Sequence, residues 1–93
     1  MTLLEFFSDR SRWCQQAFAR DKNGRNVPSR DENACQWCLL GAINHLLDDE
    51  KSIQARMKLY SVLDKYSCDS SLIIFNDTHT YEEVMSLIEK ANV

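Results

Sequence analysis

Residues Cys35–His45, CQWCLLGAINH, set two cysteines three apart beside a tryptophan, a glycine and a histidine. Four readings compete: half of a metal site, a redox pair, a nucleophile with its base, or one face of a packed helix. Cys38, Leu39, Leu40, Ala42, Ile43, Leu46 and Leu47 form a broad apolar face. That pattern predicts a central helix, the most buried of the domain, with both cysteines on one side of it. Gly41 interrupts the run at a cost of about 1 kcal/mol relative to alanine. Close approach of another backbone at Gly41–Ala42 is the expected compensation.

Working outward, the C-terminal segment has the clearest local signals. Thr80 followed by Glu83 is a capping box. Val84, Leu87, Ile88 and Ala91 then recur at helical spacing, predicting a helix from Thr80 to about Asn92. SIQARMKLYSVLDKY predicts another, capped by Ser52, with Ile53, Met57, Tyr60 and Leu63 as its buried stripe. The acidic Asp48, Asp49 and Glu50 before it suit a helix N-terminus, where the dipole favours negative charge. Near the start, Leu3, Leu4, Phe6 and Phe7 predict an anchoring helix reaching about Gln16, with a break near Ser8–Ser11. Asn23-Gly24 is a two-residue hairpin signal, because both residues tolerate positive φ. SSLIIFND fits either a short buried strand or a helical turn. The sum is a mainly α fold: one compact domain over residues 1–93, of about four helices, with a small β-hairpin or ordered loop near residues 17–28.

Charge is distributed unevenly along the chain. Residues 1–30 hold six basic and three acidic side chains, a net +3, while residues 31–93 hold five basic and eleven acidic ones, a net −6. Such a dipole suits docking against a charged protein partner. No apolar run approaches a membrane span, and the N-terminus lacks the basic region of a secretory signal. A cytoplasmic location with cysteines held as thiols is expected.

Metal, redox and nucleophilic chemistry each lack a part. Tetrahedral zinc needs two ligands beyond Cys35 and Cys38, and Cys14, His45, Cys68 and His79 are scattered singles. A redox pair needs a strand before the first cysteine, whereas SRDENA is polar and its Asp31 and Glu32 oppose a thiolate. Hydrolase chemistry through Cys38 would need a base and an orienting group such as Asn76 or Asp77. Yet His45 stands two helical turns from Cys38, roughly 10 Å along the axis. Asn76 and Asp77 read more simply as a left-handed cap and a carboxylate bonding the backbone N–H groups before Thr80. Direct nucleic-acid binding would use the basic loop, but the pI near 5.2 and the absence of a basic recognition helix oppose it. No catalytic, cofactor-binding or metal-ligating residue is assigned.

Several motifs together resemble an uncharacterised family of small bacterial and phage proteins. They are Trp13 followed by Ala17, Phe18, Ala19, Arg20, Asp21 and Gly24; the W-C-x-x-G-A motif of Trp37, Cys38, Gly41 and Ala42; the aromatic-Asn-Asp motif of Phe75, Asn76 and Asp77; and Thr80, Glu83 and Val84. The resemblance implies a compact, mostly helical domain and supplies no activity. The turn between Asp77 and Thr80 departs from the family's pattern, which makes His79 peculiar to this chain. A buried Arg20–Asp77 pair is expected to fix the hairpin on the helices. The functional expectation is a non-enzymatic protein-binding module of bacterial or phage origin. It would act by surface occlusion, as an inhibitor of a host defence complex such as a CRISPR nuclease would. Its partner-binding candidates are Arg20, Lys22, Arg25 and Arg30 on the loop and Asp48, Asp49 and Glu50 at the acidic turn. The alternative is a cysteine-centred enzyme or a redox or zinc protein using Cys35 and Cys38.

Overall fold

The computed structural model describes residues 1–63 and 69–93. Cys68, and the last residues of the helix expected over SIQARMKLYSVLDKY, lie outside them.

The opening stretch divides into a strand, a cap and a helix. Gln36–Trp37 is strand β3, Cys38 is extended at φ −78° and ψ 176°, and helix α2 runs Leu39–Leu46. The reason is a ladder that local periodicity cannot see. Strand β1, Ala19–Arg20, pairs antiparallel with β3, Ala19 opposite Trp37 and Arg20 opposite Gln36. Cys35 N–H donates to Arg20 O at 2.8 Å, and Cys14 N–H to Trp37 O at 3.0 Å. Long-range backbone bonding holds Cys35–Trp37 extended, so the two cysteines do not share a helix face: Cys35 is exposed and Cys38 buried.

The hairpin forms where Asn23-Gly24 predicts it. Strand β2, Asn26–Val27, pairs with β1, Gly24 adopts φ +80°, and the sheet order is β2-β1-β3. Asp21 Oδ1 accepts the N–H groups of Asn23 and Arg25 across the tip. The expected close approach at Gly41 is also present. A Cβ there would lie 1.9 Å from the carbonyl oxygen of Phe18, so β1's approach to α2 requires glycine.

Helix α1 is shorter than expected, Leu3–Phe6, capped reciprocally by Thr2 and Glu5. Asp9 then restarts the chain by accepting from Ser11 N–H, giving a single 3-10 turn at Arg10–Arg12. Trp13 leaves extended to bridge Trp37 rather than continuing a helix to Gln16.

Helix α3, Asp49–Leu63, begins where the acidic run suggests, but Asp48 caps it in place of Ser52, accepting from Lys51 N–H at 2.8 Å. Its buried residues are Ser52, Ala55 and Leu59, while Ile53 and Met57 face solvent. The expected stripe is therefore rotated. The packing of α3 on α5, α2 and α4 sets which of its residues are covered.

SSLIIFND resolves as part of helix α4, Asp69–Thr78, which buries Leu72 and Asn76. Helix α5, Tyr81–Ala91, carries the Thr80–Glu83 capping box and ends on Asn92 in the left-handed conformation. Tyr81 O–H donates to the Phe7 carbonyl, tying α5 to the N-terminus. Leu3, Phe7, Leu39, Ile43, Leu59, Leu72, Val84 and Ile88 form one core. The chain is thus mainly α, with five helices and a three-stranded antiparallel sheet among the described residues. No described helix is long and apolar enough to cross a membrane.

Candidate functional site

The β1–β2 hairpin, the start of α2 and the end of α4 meet at one corner, and Asn76 organises it. Its Oδ1 accepts from Trp13 Nε1 at 2.7 Å and from Leu39 N–H at 3.0 Å. Its Nδ2 donates to Cys14 O at 3.0 Å and to Asp77 Oδ1 at 3.1 Å. A fully buried amide thus meets its hydrogen-bonding capacity from three parts of the chain. Asn76 is not the left-handed cap expected for it. It lies inside α4, and the left-handed residue of this corner is Gln16, at φ 65°.

Asp77 accepts from Gln16 N–H at 2.9 Å, holding that unusual backbone in place, instead of bonding the N–H groups before Thr80. Gln15 Nε2 donates to the carbonyls of Asn76 and His79, both at 3.0 Å, and closes the loop over the end of α4. The expected Arg20–Asp77 pair does not form. Arg20 donates to Gly24 O, Asn26 Oδ1 and Gln15 O, serving the hairpin and its neighbouring loop.

Around this corner lies a cleft of about 500 Å³. Ala17, Phe18, Val27, Pro28 and Ile73 give it an apolar lining, with Gln16, Asn26 and Asp77 as polar groups and the Cys38 thiol beneath. Phe18 is 49 % exposed, an uncommon position for an aromatic ring in a polar loop.

Cys38 is built as a helix cap. Its Sγ accepts from Gly41 N–H at 3.3 Å, and Asn76 takes the Leu39 N–H, so these first-turn donors are engaged within the chain. Burial pushes the Cys38 thiol up, outweighing the backbone bonds that favour the thiolate. Cys14 is pushed up to about 11, by burial first and by the neighbouring Cys38 second. Both thiols are protonated at neutral pH.

The imidazoles are engaged elsewhere. His45 stacks on Trp37, centroids 4.5 Å apart, and His79 on Phe75 at 3.8 Å, with its Nδ1 2.9 Å from the Phe75 carbonyl. Among the described residues no group of three His, Cys, Asp or Glu side chains is placed to hold a metal ion.

Of the seven partner-binding candidates, Arg20 is engaged within the hairpin and its neighbouring loop, and the other six divide by environment. Lys22 and Arg25 are exposed at the hairpin tip, next along the chain to the cleft. Arg30 reaches back to close the end of α2, donating to Asn44 O at 2.7 Å and Leu47 O at 3.3 Å. Asp48 caps α3, and Asp49 and Glu50 stand exposed in its first turn. Sequence reasoning missed the cleft itself. Its available signal was Phe18, a large apolar side chain inside a charged segment ahead of the turn.

Fold and corner together define a small helical domain carrying a β-hairpin, with an apolar cleft beside exposed cations. Over residues 6–92 the chain matches a family model described as a family of unknown function (DUF6197), and it belongs to that family. No curated protein and no solved structure matches it.

Proposed function

We propose that the chain is a non-enzymatic protein-binding module whose contact surface is the hairpin tip and the cleft beside it. The observation that carries this reading is the half-exposed Phe18 ring at an apolar cleft, flanked by Lys22 and Arg25. An aromatic anchor with neighbouring cations fits an acidic protein surface that offers one apolar side chain to the cleft. Asp77 favours an anchor carrying a hydrogen-bond donor, such as tyrosine or tryptophan. A bacterial or phage origin, a cytoplasmic site of action and inhibition of host machinery by occlusion extend the proposal. They rest on chain size and on the resemblance.

Charge reversal tests it. Immobilised wild-type protein retains a protein that the Lys22→Glu/Arg25→Glu double variant and the Phe18→Ser variant release, each with unchanged circular dichroism. Retention unaffected by both sets of changes contradicts the assignment. The cysteine-centred alternative predicts instead a native Cys38 that reacts rapidly.

A further inference from the structure

The two tryptophans of the chain are each followed by a cysteine, Trp13-Cys14 and Trp37-Cys38, and the fold lays the two dipeptides side by side. Trp13 and Trp37 form a parallel bridge, and Cys14 N–H donates to Trp37 O at 3.0 Å. Trp13 and Cys38 are both extended, so Cys14 and Cys38 follow the bridge in the same direction and on the same side of it. One step further on, Asn76 joins the same two backbones, accepting from Leu39 N–H and donating to Cys14 O. That amide fixes the register in which the cysteines meet.

Neighbouring strands lie about 4.8 Å apart. A disulfide spans Cα atoms about 4.4–6.8 Å apart. Both thiols are buried, at 8 % and 3 % exposure, and Cys38 lies close enough to push the Cys14 thiol up. Cys35, ahead of β3, is exposed and outside this pairing.

We propose that Cys14 and Cys38 are a dithiol pair that a low-molecular-weight disulfide converts to an intramolecular disulfide, clasping the extended segment to the start of α2. In the first step a protein thiolate attacks the small disulfide, forms a mixed disulfide and releases one small thiol. The second cysteine then attacks the protein sulfur of that mixed disulfide and releases the other. The protein gives up two protons and two electrons, which leave on the two small thiols. Burial keeps the pair protonated, so closure waits on opening of the corner and is slow. The bond closes a loop over residues 14–38 that encloses the whole hairpin. It also joins the segment carrying Gln16 to Cys38, two parts of the cleft lining. Oxidation thus stiffens the cleft, and the pairing itself depends on no partner.

The test is equilibration of the full chain with reduced and oxidised glutathione, approached from both the reduced and the oxidised protein. Acid quenching, alkylation in denaturant and peptide mass spectrometry then report the bonds. Wild-type protein is expected to lose two hydrogen atoms and yield a Cys14–Cys38 cross-linked peptide. The equilibrium constant for closure is expected to be about a hundredfold greater for the native protein than for the protein in urea, because the fold holds the two cysteines together. The same bond forms in Cys35→Ser/Cys68→Ser protein. Cys14→Ser and Cys38→Ser, each with wild-type circular dichroism, carry only mixed disulfides, and serine at 38 keeps the helix cap. A closure constant no greater in the native state than in urea overturns the inference. So does a disulfide from either cysteine to Cys35 or Cys68 in place of the Cys14–Cys38 bond.

Discussion

Gly41→Ala is a substitution on which helix propensity and packing make opposite predictions. Propensity alone favours alanine by about 1 kcal/mol within a helix. The new Cβ, however, would sit 1.9 Å from the Phe18 carbonyl oxygen, a backbone atom that also accepts from Cys38 N–H at 3.3 Å. Relief requires β1 and α2 to separate, and overpacking of this kind costs about 1–3 kcal/mol. Urea denaturation is expected to show a net loss of about 2 kcal/mol. A gain in stability would mean that the hairpin yields easily. At this scale the sequence was informative: a glycine amid good helix formers pointed to a neighbour's backbone, though not to which backbone. The cysteines were less legible. Spacing treats Cys35 and Cys38 as equivalent, and only their surroundings make one an exposed thiol and the other a buried cap.

Among the elements, legibility followed the range of the determining interactions. Helix α5 could be read from Thr80 to about Asn92 because its capping box and its apolar stripe are local; the left-handed conformation of Asn92 was not foreseen. The hairpin tip was equally local. Strand β3 was missed because its backbone bonds go to Arg20 and Cys14, well back along the chain. The buried face of α3 was misassigned because its packing on α5, α2 and α4 decides which residues are covered, and local spacing does not show those partners. Arg30, read as a binding residue, also closes the C-terminus of α2. Asn76 is where the elements are joined, linking α4 to α2 through Leu39 and to the extended segment through Trp13 and Cys14. Asn76→Ala would leave two donors and a carbonyl without these partners, at about 1 kcal/mol or more each. Its expected cost is about 3 kcal/mol, measured by the same denaturation. The indole fluorescence of Trp13 should shift before global unfolding. A loss below 1 kcal/mol would show that the network contributes little to joining the helices.

For the molecule as a whole, the proposed contact surface and the buried thiols meet at the same corner, with Cys38 in the lining of the cleft itself. Phe18, Lys22 and Arg25 reach solvent, whereas Cys14 and Cys38 are buried, with thiols that burial keeps protonated. The uneven charge of the sequence suggested docking against a charged partner, an expectation carried into the proposed function. It did not show that Asn76 and Gln16 shape a cleft next to the basic tip. The central claim is that Cys38 supports this surface as a structural cap and does not act as a nucleophile. Residue-resolved alkylation of the native protein at pH 7.5, followed by peptide mass spectrometry, tests it most directly. The exposed Cys35 is expected to be modified at the rate of a free thiol. Cys14 and Cys38 should be modified only as fast as the protein opens, at least a hundredfold more slowly, and all three should become equivalent in denaturant. A native Cys38 that reacts as fast as Cys35, or faster, would contradict the account and place the chemistry of the protein at that thiol.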